Sequence, residues 1–181
     1  MHEEVIISGF GGQGALFAGQ LLTYTGMDEG YQVTWIPSYG PEMRGGTAHC
    51  TVILSDDPIG SPIIRNPTAA VVMNPSSMEK YEPLIKPGGV LVVNSTLVRT
   101  RSARNDITVV YVPANDLATD LGNVKMTNVV LLGALLAAKP ILPVEAVKRA
   151  MELHIPERRK HIIEPNKRAL DRGIEYVQKG Q

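Results

Sequence analysis

The sequence holds 181 residues, long enough to bury a substantial core and short enough to form a single domain over 1–181. Lysine plus arginine number 18 and aspartate plus glutamate number 18, a neutral balance that argues against nucleic acid or an anionic membrane as the main partner. One cysteine excludes an intrachain disulfide, suits a reducing cytoplasm and falls short of the four ligands an iron–sulfur cluster typically needs.

The chain opens on the apolar run Val5-Ile6-Ile7, which predicts a strand over Val5–Ser8. Ser8-Gly9-Phe10-Gly11-Gly12-Gln13-Gly14 follows, and Gly9, Gly11 and Gly14 carry the G-x-G-x-x-G spacing. Glycines there permit a tight turn and let a phosphate approach the backbone, while the next helix, predicted from near Gly12 to about Met27, offers its free N–H groups to an anion. Two readings stay open: a phosphate-binding loop, or a tight strand-to-helix turn whose glycines serve packing alone.

A second strand is predicted over Gln32–Ile36. It ends Trp35-Ile36-Pro37 without the carboxylate that a dinucleotide fold places there for the ribose hydroxyls, which disfavours a free-standing dehydrogenase. Next comes Ser38-Tyr39-Gly40-Pro41-Glu42-Met43-Arg44-Gly45-Gly46, with turn signals at both ends. Arg44 offers a planar fork for carboxylate or phosphate and Glu42 could orient it; the alternative is a local Glu42–Arg44 pair that stiffens a turn.

Thr47–Ser55 reads as a third strand. Cys50 on it is expected to be a buried free thiol, and His49 beside it should point to the opposite face, so the two form no dyad. The segment 56–62 is a turn-rich connection. Further strands are predicted over Ala69–Met73, Gly89–Asn94 and Ile107–Tyr111, with a short helix over Ser76–Leu84 between Pro75 and Pro87-Gly88-Gly89. Asn74 and Asn94 close their strands, where an amide could meet a ligand or cap the next turn. Arg99, Arg101 and Arg104 read as a solvated turn before a ligand site. Asn115–Leu121 predicts a turn or helix. The apolar run Val129–Ala138 is too short to cross a bilayer, which takes about 20 residues, and predicts a buried helix after Thr127 with Gly133 allowing close packing. Helices from Pro143 to about His154 and from Pro165 to about Gln178 complete the chain. Glu157-Arg158-Arg159-Lys160-His161 reads as an exposed surface or connector, or as a docking face for an acidic subunit. His2, His154 and His161 have no metal-ligand spacing. No cationic segment followed by an apolar one opens the sequence, so no signal peptide is expected.

The alternation predicts an α/β fold: three layers, α/β/α, around a mostly parallel sheet of about six strands with helices on both faces. The glycine loop, Ser38, Asn74 and Asn94 would then converge at one sheet edge, where open α/β sheets bind ligands.

Gly9-Phe10-Gly11-Gly12-Gln13-Gly14 and Ser38-Tyr39-Gly40-Pro41-Glu42-Met43-Arg44-Gly45-Gly46 together resemble the gamma subunit of 2-oxoacid:ferredoxin oxidoreductases. The resemblance covers nearly the whole chain, including Asn94-Ser95 and the Thr127-Asn128 region, and Met43-Arg44-Gly45-Gly46-Thr47 is most similar to the 2-oxoglutarate type, with the pyruvate and branched-chain types open beside it. It implies an enzyme that oxidatively decarboxylates a 2-oxoacid, forms an acyl-CoA from coenzyme A and reduces ferredoxin, with thiamine diphosphate and iron–sulfur clusters carried by partner alpha, beta and delta subunits. The isolated chain would then be inactive, and a face normally covered by partners would expose apolar surface.

The candidate cofactor-contacting residues are Gly11, Gly12, Gln13, Gly14, Ser38, Tyr39, Gly40, Glu42, Arg44, Gly45, Gly46 and Asn94; no catalytic residue and no metal ligand is expected. Two alternatives remain beside the gamma-subunit reading, a stand-alone nicotinamide or flavin oxidoreductase and a purely structural scaffold.

Overall fold

The computed structural model describes residues 1–38 and 47–180. Six strands, β1 (His2–Phe10), β2 (Gln32–Ser38), β3 (Thr47–Ser55), β4 (Ala69–Val72), β5 (Val90–Asn94) and β6 (Thr108–Val112), form one sheet in the order β2-β3-β1-β4-β5-β6. Six helices accompany them: α1 (Ala15–Asp28), α2 (Pro75–Tyr81), α3 (Ala114–Asp120), α4 (Thr127–Ala138), α5 (Val144–His154) and α6 (Ile163–Gln178).

β1, β4, β5 and β6 run parallel, in register from Val5↔Ala69 through Val90↔Thr108. β3 runs antiparallel to both neighbours, so β2 again points the same way as β1. The sheet is therefore mostly parallel, as expected. β3 is an inner strand: it stands between β1 and β2 and separates the two motif-bearing strands. β2 forms one edge of the sheet, where Pro37, lacking an N–H, removes no interior ladder bond. That position lets β2 run on to Ser38, two residues past the predicted end.

The helices divide unequally between the faces. Val5, Ile7, Cys50, Val52, Val71 and Val92 point to the face covered by α1, α4 and α6, with α3 and α5 completing that core. On the other face Ile6, Ala70, Val72, Leu91 and Val93 meet Met78 and Tyr81 of α2, together with Ile85 and Val98. Both faces thus carry helix, but among the described residues α2 alone covers the second, and Phe10 and Ile36 stay 40% and 42% exposed.

α4 is apolar all round and buried from Thr127 to Leu136, as befits a helix enclosed by the sheet and α6. Gly133 and Gly173 make that contact possible. A Cβ on Gly133 would run into the Leu170 carbonyl, and one on Gly173 into the Val130 carbonyl, so the two helices touch backbone to backbone. α5 is fastened to α1 by Arg149–Glu29 at 2.8 Å and by His154, whose ring stacks on Tyr24 at 4.3 Å while its Nε2 lies 2.9 Å from Asp28.

Candidate functional site

The glycine loop caps β1 at the carboxyl edge of the sheet. The Gln13 N–H donates to the Phe10 carbonyl at 3.1 Å, and the Phe10 N–H donates to the Gln13 side-chain carbonyl at 2.6 Å. Gln13 therefore closes the turn with its own amide. Gly12 and Gly14 adopt φ of 90° and 79°, which an L side chain rarely takes, so the helix cannot begin before Ala15 and starts three residues later than predicted. Gly14 is also a point of close approach. The Asn128 amide, at the start of α4, donates to the Gly14 carbonyl at 3.0 Å, and a Cβ on Gly14 would lie 2.5 Å from that same nitrogen. The loop thus joins the start of α1 to the start of α4, across 114 residues of sequence.

No side chain caps α1 and no acid stands in its first turn, so the helix keeps its positive end toward the edge. A cavity of about 340 Å³ opens there, lined by Gly14, Asn128, Lys125, Arg159, His161 and Asn166, among others. A smaller one of about 160 Å³ lies on the other side of Lys125, against Gly12, Gln13 and Asn115.

The predicted site residues fall into three groups. Gly11, Gly12, Gln13 and Gly14 form the loop just described, with Gly11 and Gly12 exposed. Ser38 ends β2 at the same edge, but it pairs with His49 of β3 and is separated from the glycine loop by that strand. Tyr39, Gly40, Glu42, Arg44, Gly45 and Gly46 lie outside the described residues. Asn94 ends β5 and is fully buried: its amide donates to the Met73 carbonyl at 3.4 Å and to the Asn115 side chain at 2.9 Å, while its own oxygen has no partner. Asn74 caps α2 by accepting from the Ser77 N–H at 2.8 Å. Edge convergence therefore holds for the ends of β1, β2, β4 and β5, with the two asparagines turned into the protein.

Cys50 is a buried free thiol, as expected. Its burial pushes the pKa up to about 12, and the Sγ donates to the Ala15 carbonyl at 3.5 Å. A single protonated thiol in an apolar layer does not fit an iron–sulfur cluster. His49 points to the opposite face, against Tyr81, with its pKa held below the ordinary value by burial and then by the Lys80 charge. Among the described residues no group of three or more His, Cys, Asp or Glu side chains gathers as a metal site.

Of the three arginines after β5, Arg104 is committed to structure, donating to Asp106 and to the Glu82 and Ile85 carbonyls, and Arg101 lies over the Tyr111 ring at 4.0 Å. Sequence reasoning did not place Lys125, Arg159 and Asn166 beside the glycine loop, although Arg159 belongs to the charge run read as an exposed surface or docking face.

Residues 4–176 match the pyruvate ferredoxin/flavodoxin oxidoreductase family. The 2-oxoglutarate synthase subunit KorC of Methanocaldococcus jannaschii is 33% identical over 182 residues, with 98% of this chain and 95% of that one covered. The ketoisovalerate oxidoreductase subunit VorA of Methanothermobacter thermautotrophicus is 33% identical over 175 residues; the match takes in 96% of this chain but only 36% of that one, so this chain spans about a third of that relative. Among solved structures, the gamma subunit of keto/oxoacid ferredoxin oxidoreductase from Geobacter sulfurreducens PCA superposes with a TM-score of 0.84 at 30% identity, covering 98% of this chain and 99% of that chain.

A mostly parallel sheet with helices on both faces and a glycine loop at its carboxyl edge defines an open α/β domain. This chain belongs to the pyruvate ferredoxin/flavodoxin oxidoreductase family, and its similarity to gamma-type subunits runs from end to end, as the two glycine motifs implied. The relatives it matches are oxidoreductase subunits.

Proposed function

We propose that this chain is the gamma component of a cytoplasmic, thiamine-dependent 2-oxoacid:ferredoxin oxidoreductase, with 2-oxoglutarate as the favoured 2-oxoacid. The assembled enzyme converts the 2-oxoacid and coenzyme A to acyl-CoA and CO2 and passes electrons to ferredoxin. Thiamine diphosphate and the clusters reside in alpha, beta and delta partners; this chain helps assemble the complex and borders the coenzyme A or thiamine site through its glycine loop and the Arg44 segment.

The observation that carries the reading is full-length similarity to KorC combined with a chain whose one thiol is buried and protonated. Such a chain supplies no cluster, so the electron path must run through other subunits. The wording Met43-Arg44-Gly45-Gly46-Thr47 favours 2-oxoglutarate over pyruvate and 2-oxoisovalerate. No helix among the described residues is long and apolar enough to cross a membrane.

The test is anaerobic isolation of the tagged chain from its own cells, followed by CoA-dependent dye reduction with each of the three 2-oxoacids. Co-isolated subunits and activity greatest with 2-oxoglutarate are expected. Ferredoxin reduction by the purified chain alone would refute the division of labour.

A further inference from the structure

The carboxyl ends of β5 and β6 hold a cavity of about 400 Å³ that shares no lining residue with the one beside the glycine loop. β4 stands between β1 and β5, so the two lie at different points along the sheet edge. Ser95, Thr96, Arg99 and Arg101 line it from the segment that leaves β5, and Asp116 lines it from the first turn of α3.

That segment is anchored. The Ser95 N–H donates to the Val112 carbonyl at 2.8 Å, and the Val98 N–H donates to the Asn94 carbonyl at 2.9 Å. The Arg101 guanidinium lies 4.0 Å from the Tyr111 ring centroid, and the Tyr111 hydroxyl accepts from the Ser102 N–H at 2.7 Å. An aromatic face therefore holds the Arg101 side chain in place.

The charges around the cavity are not spent on one another. Arg104, in the same segment, pairs with Asp106 and donates to the Glu82 and Ile85 carbonyls. Arg99 and Arg101, by contrast, make no hydrogen bond or ion pair with any described residue. Asp116 accepts from the Thr96 hydroxyl at 3.2 Å and pairs with neither guanidinium. Opposite charges that line one space without meeting leave it with a cationic side and an anionic side. Two guanidiniums suit two carboxylates, each through a planar fork. One carboxylate, beside the Ser95 and Thr96 hydroxyls, suits one ammonium. A ligand of pure negative charge would meet Asp116, and one of pure positive charge would meet the arginines. Val98, only 2% exposed, and Pro113 add a short apolar wall that a methylene chain can cover.

We propose that this cavity binds an acidic α-amino acid, with its two carboxylates on Arg99 and Arg101 and its ammonium on Asp116. The site goes beyond the proposed function: it uses neither glycine motif and needs no partner subunit.

The test is a titration of the isotope-labelled full chain with L-glutamate, followed through its amide shifts by NMR, and a parallel titration with 2-oxoglutarate. The second ligand keeps both carboxylates and replaces the ammonium with a carbonyl. Saturable shifts at residues 95–101 and the start of α3 are expected, with 2-oxoglutarate weaker than glutamate by about tenfold, the scale of one charge-assisted hydrogen bond. Asp116→Asn, which keeps an acceptor for Thr96, should remove that preference by weakening glutamate alone. Arg99→Gln should weaken both ligands by about tenfold; Arg99 contacts no described side chain through a hydrogen bond or ion pair, so the variant should fold as the native chain does. Absence of saturable shifts at millimolar glutamate, 2-oxoglutarate bound as tightly as glutamate by the native chain, or native affinity in Arg99→Gln would each overturn the proposal. None of these results bears on the gamma assignment, and a chain recovered alone and inactive from its cells would leave this site standing.

Discussion

Gly14 concentrates the local demands of the fold in one residue. Its φ of 79° excludes most side chains, and a Cβ would meet the Asn128 amide that ties α4 to α1. Gly14→Ala should therefore destabilise the chain by about 1–3 kcal/mol, the combined scale of left-handed strain and overpacking, read as a lower denaturant midpoint at unchanged slope. Gly12→Ala, at similar φ but facing open space, should show only the strain and cost less. Cys50 supports a second prediction. Its folded pKa lies at about 12, above the reference value of 9.0, so the unfolded chain loses the thiol proton first. Stability attributable to Cys50 is full below pH 9.0 and declines as pH rises toward about 12. The stability difference between native and Cys50→Ala chains should shrink across that window and stay flat at neutral pH, where the native thiol should also resist alkylating reagents. Rapid labelling of folded protein at pH 7 would contradict the burial argument.

At the scale of elements, α4 and α6 depend on two glycines that allow backbone contact. Gly133→Ala and Gly173→Ala should each destabilise by roughly 1–3 kcal/mol or more, because the atoms in the way are carbonyl groups that cannot rotate aside. Thermal unfolding of the two single variants and the double variant would show non-additivity, since both relieve or strain one contact. Much of this layer was legible in the sequence. Pro75 and Pro87-Gly88-Gly89 bracketed α2 and its 3-10 extension, the apolar run after Thr127 announced a buried helix, and the close-packing role of Gly133 followed from its place in that run. The direction of β3 was not legible. Its alternation suits either hand of pairing, and nothing local says that it will stand inside the sheet between β1 and β2. Nor could the sequence reveal that five helices would gather on one face, because periodicity shows which side of a helix is apolar but not which side of the sheet receives it. At the site, the glycine loop was readable because its geometry demands glycine, whereas Lys125, Arg159 and Asn166 are ordinary residues made significant only by where α6 and the preceding turns bring them.

At the scale of the whole chain, the match falls in two settings. This chain matches nearly all of KorC yet only about a third of VorA, so the matched stretch is a separate chain in one relative and part of a longer one in the other. In the proposed complex, the carboxyl edge with its positive helix end and the 340 Å³ cavity faces the coenzyme, while the thinly covered second face, with Phe10 and Ile36 exposed, is available to neighbouring subunits. Arg44→Ala separates a site role from a scaffold role: the proposal predicts intact assembly on size exclusion with turnover reduced by about tenfold or more, the scale of one lost charge-assisted contact. Unchanged turnover would leave that segment a packing role. The most direct test of the central claim is anaerobic co-isolation of this chain from its own cells with the activity assayed in the same eluate. The account predicts a complex with thiamine- and cluster-binding subunits and CoA-dependent dye reduction on a 2-oxoacid, 2-oxoglutarate first. A chain recovered alone and inactive, from cells shown to contain those subunits, would contradict it.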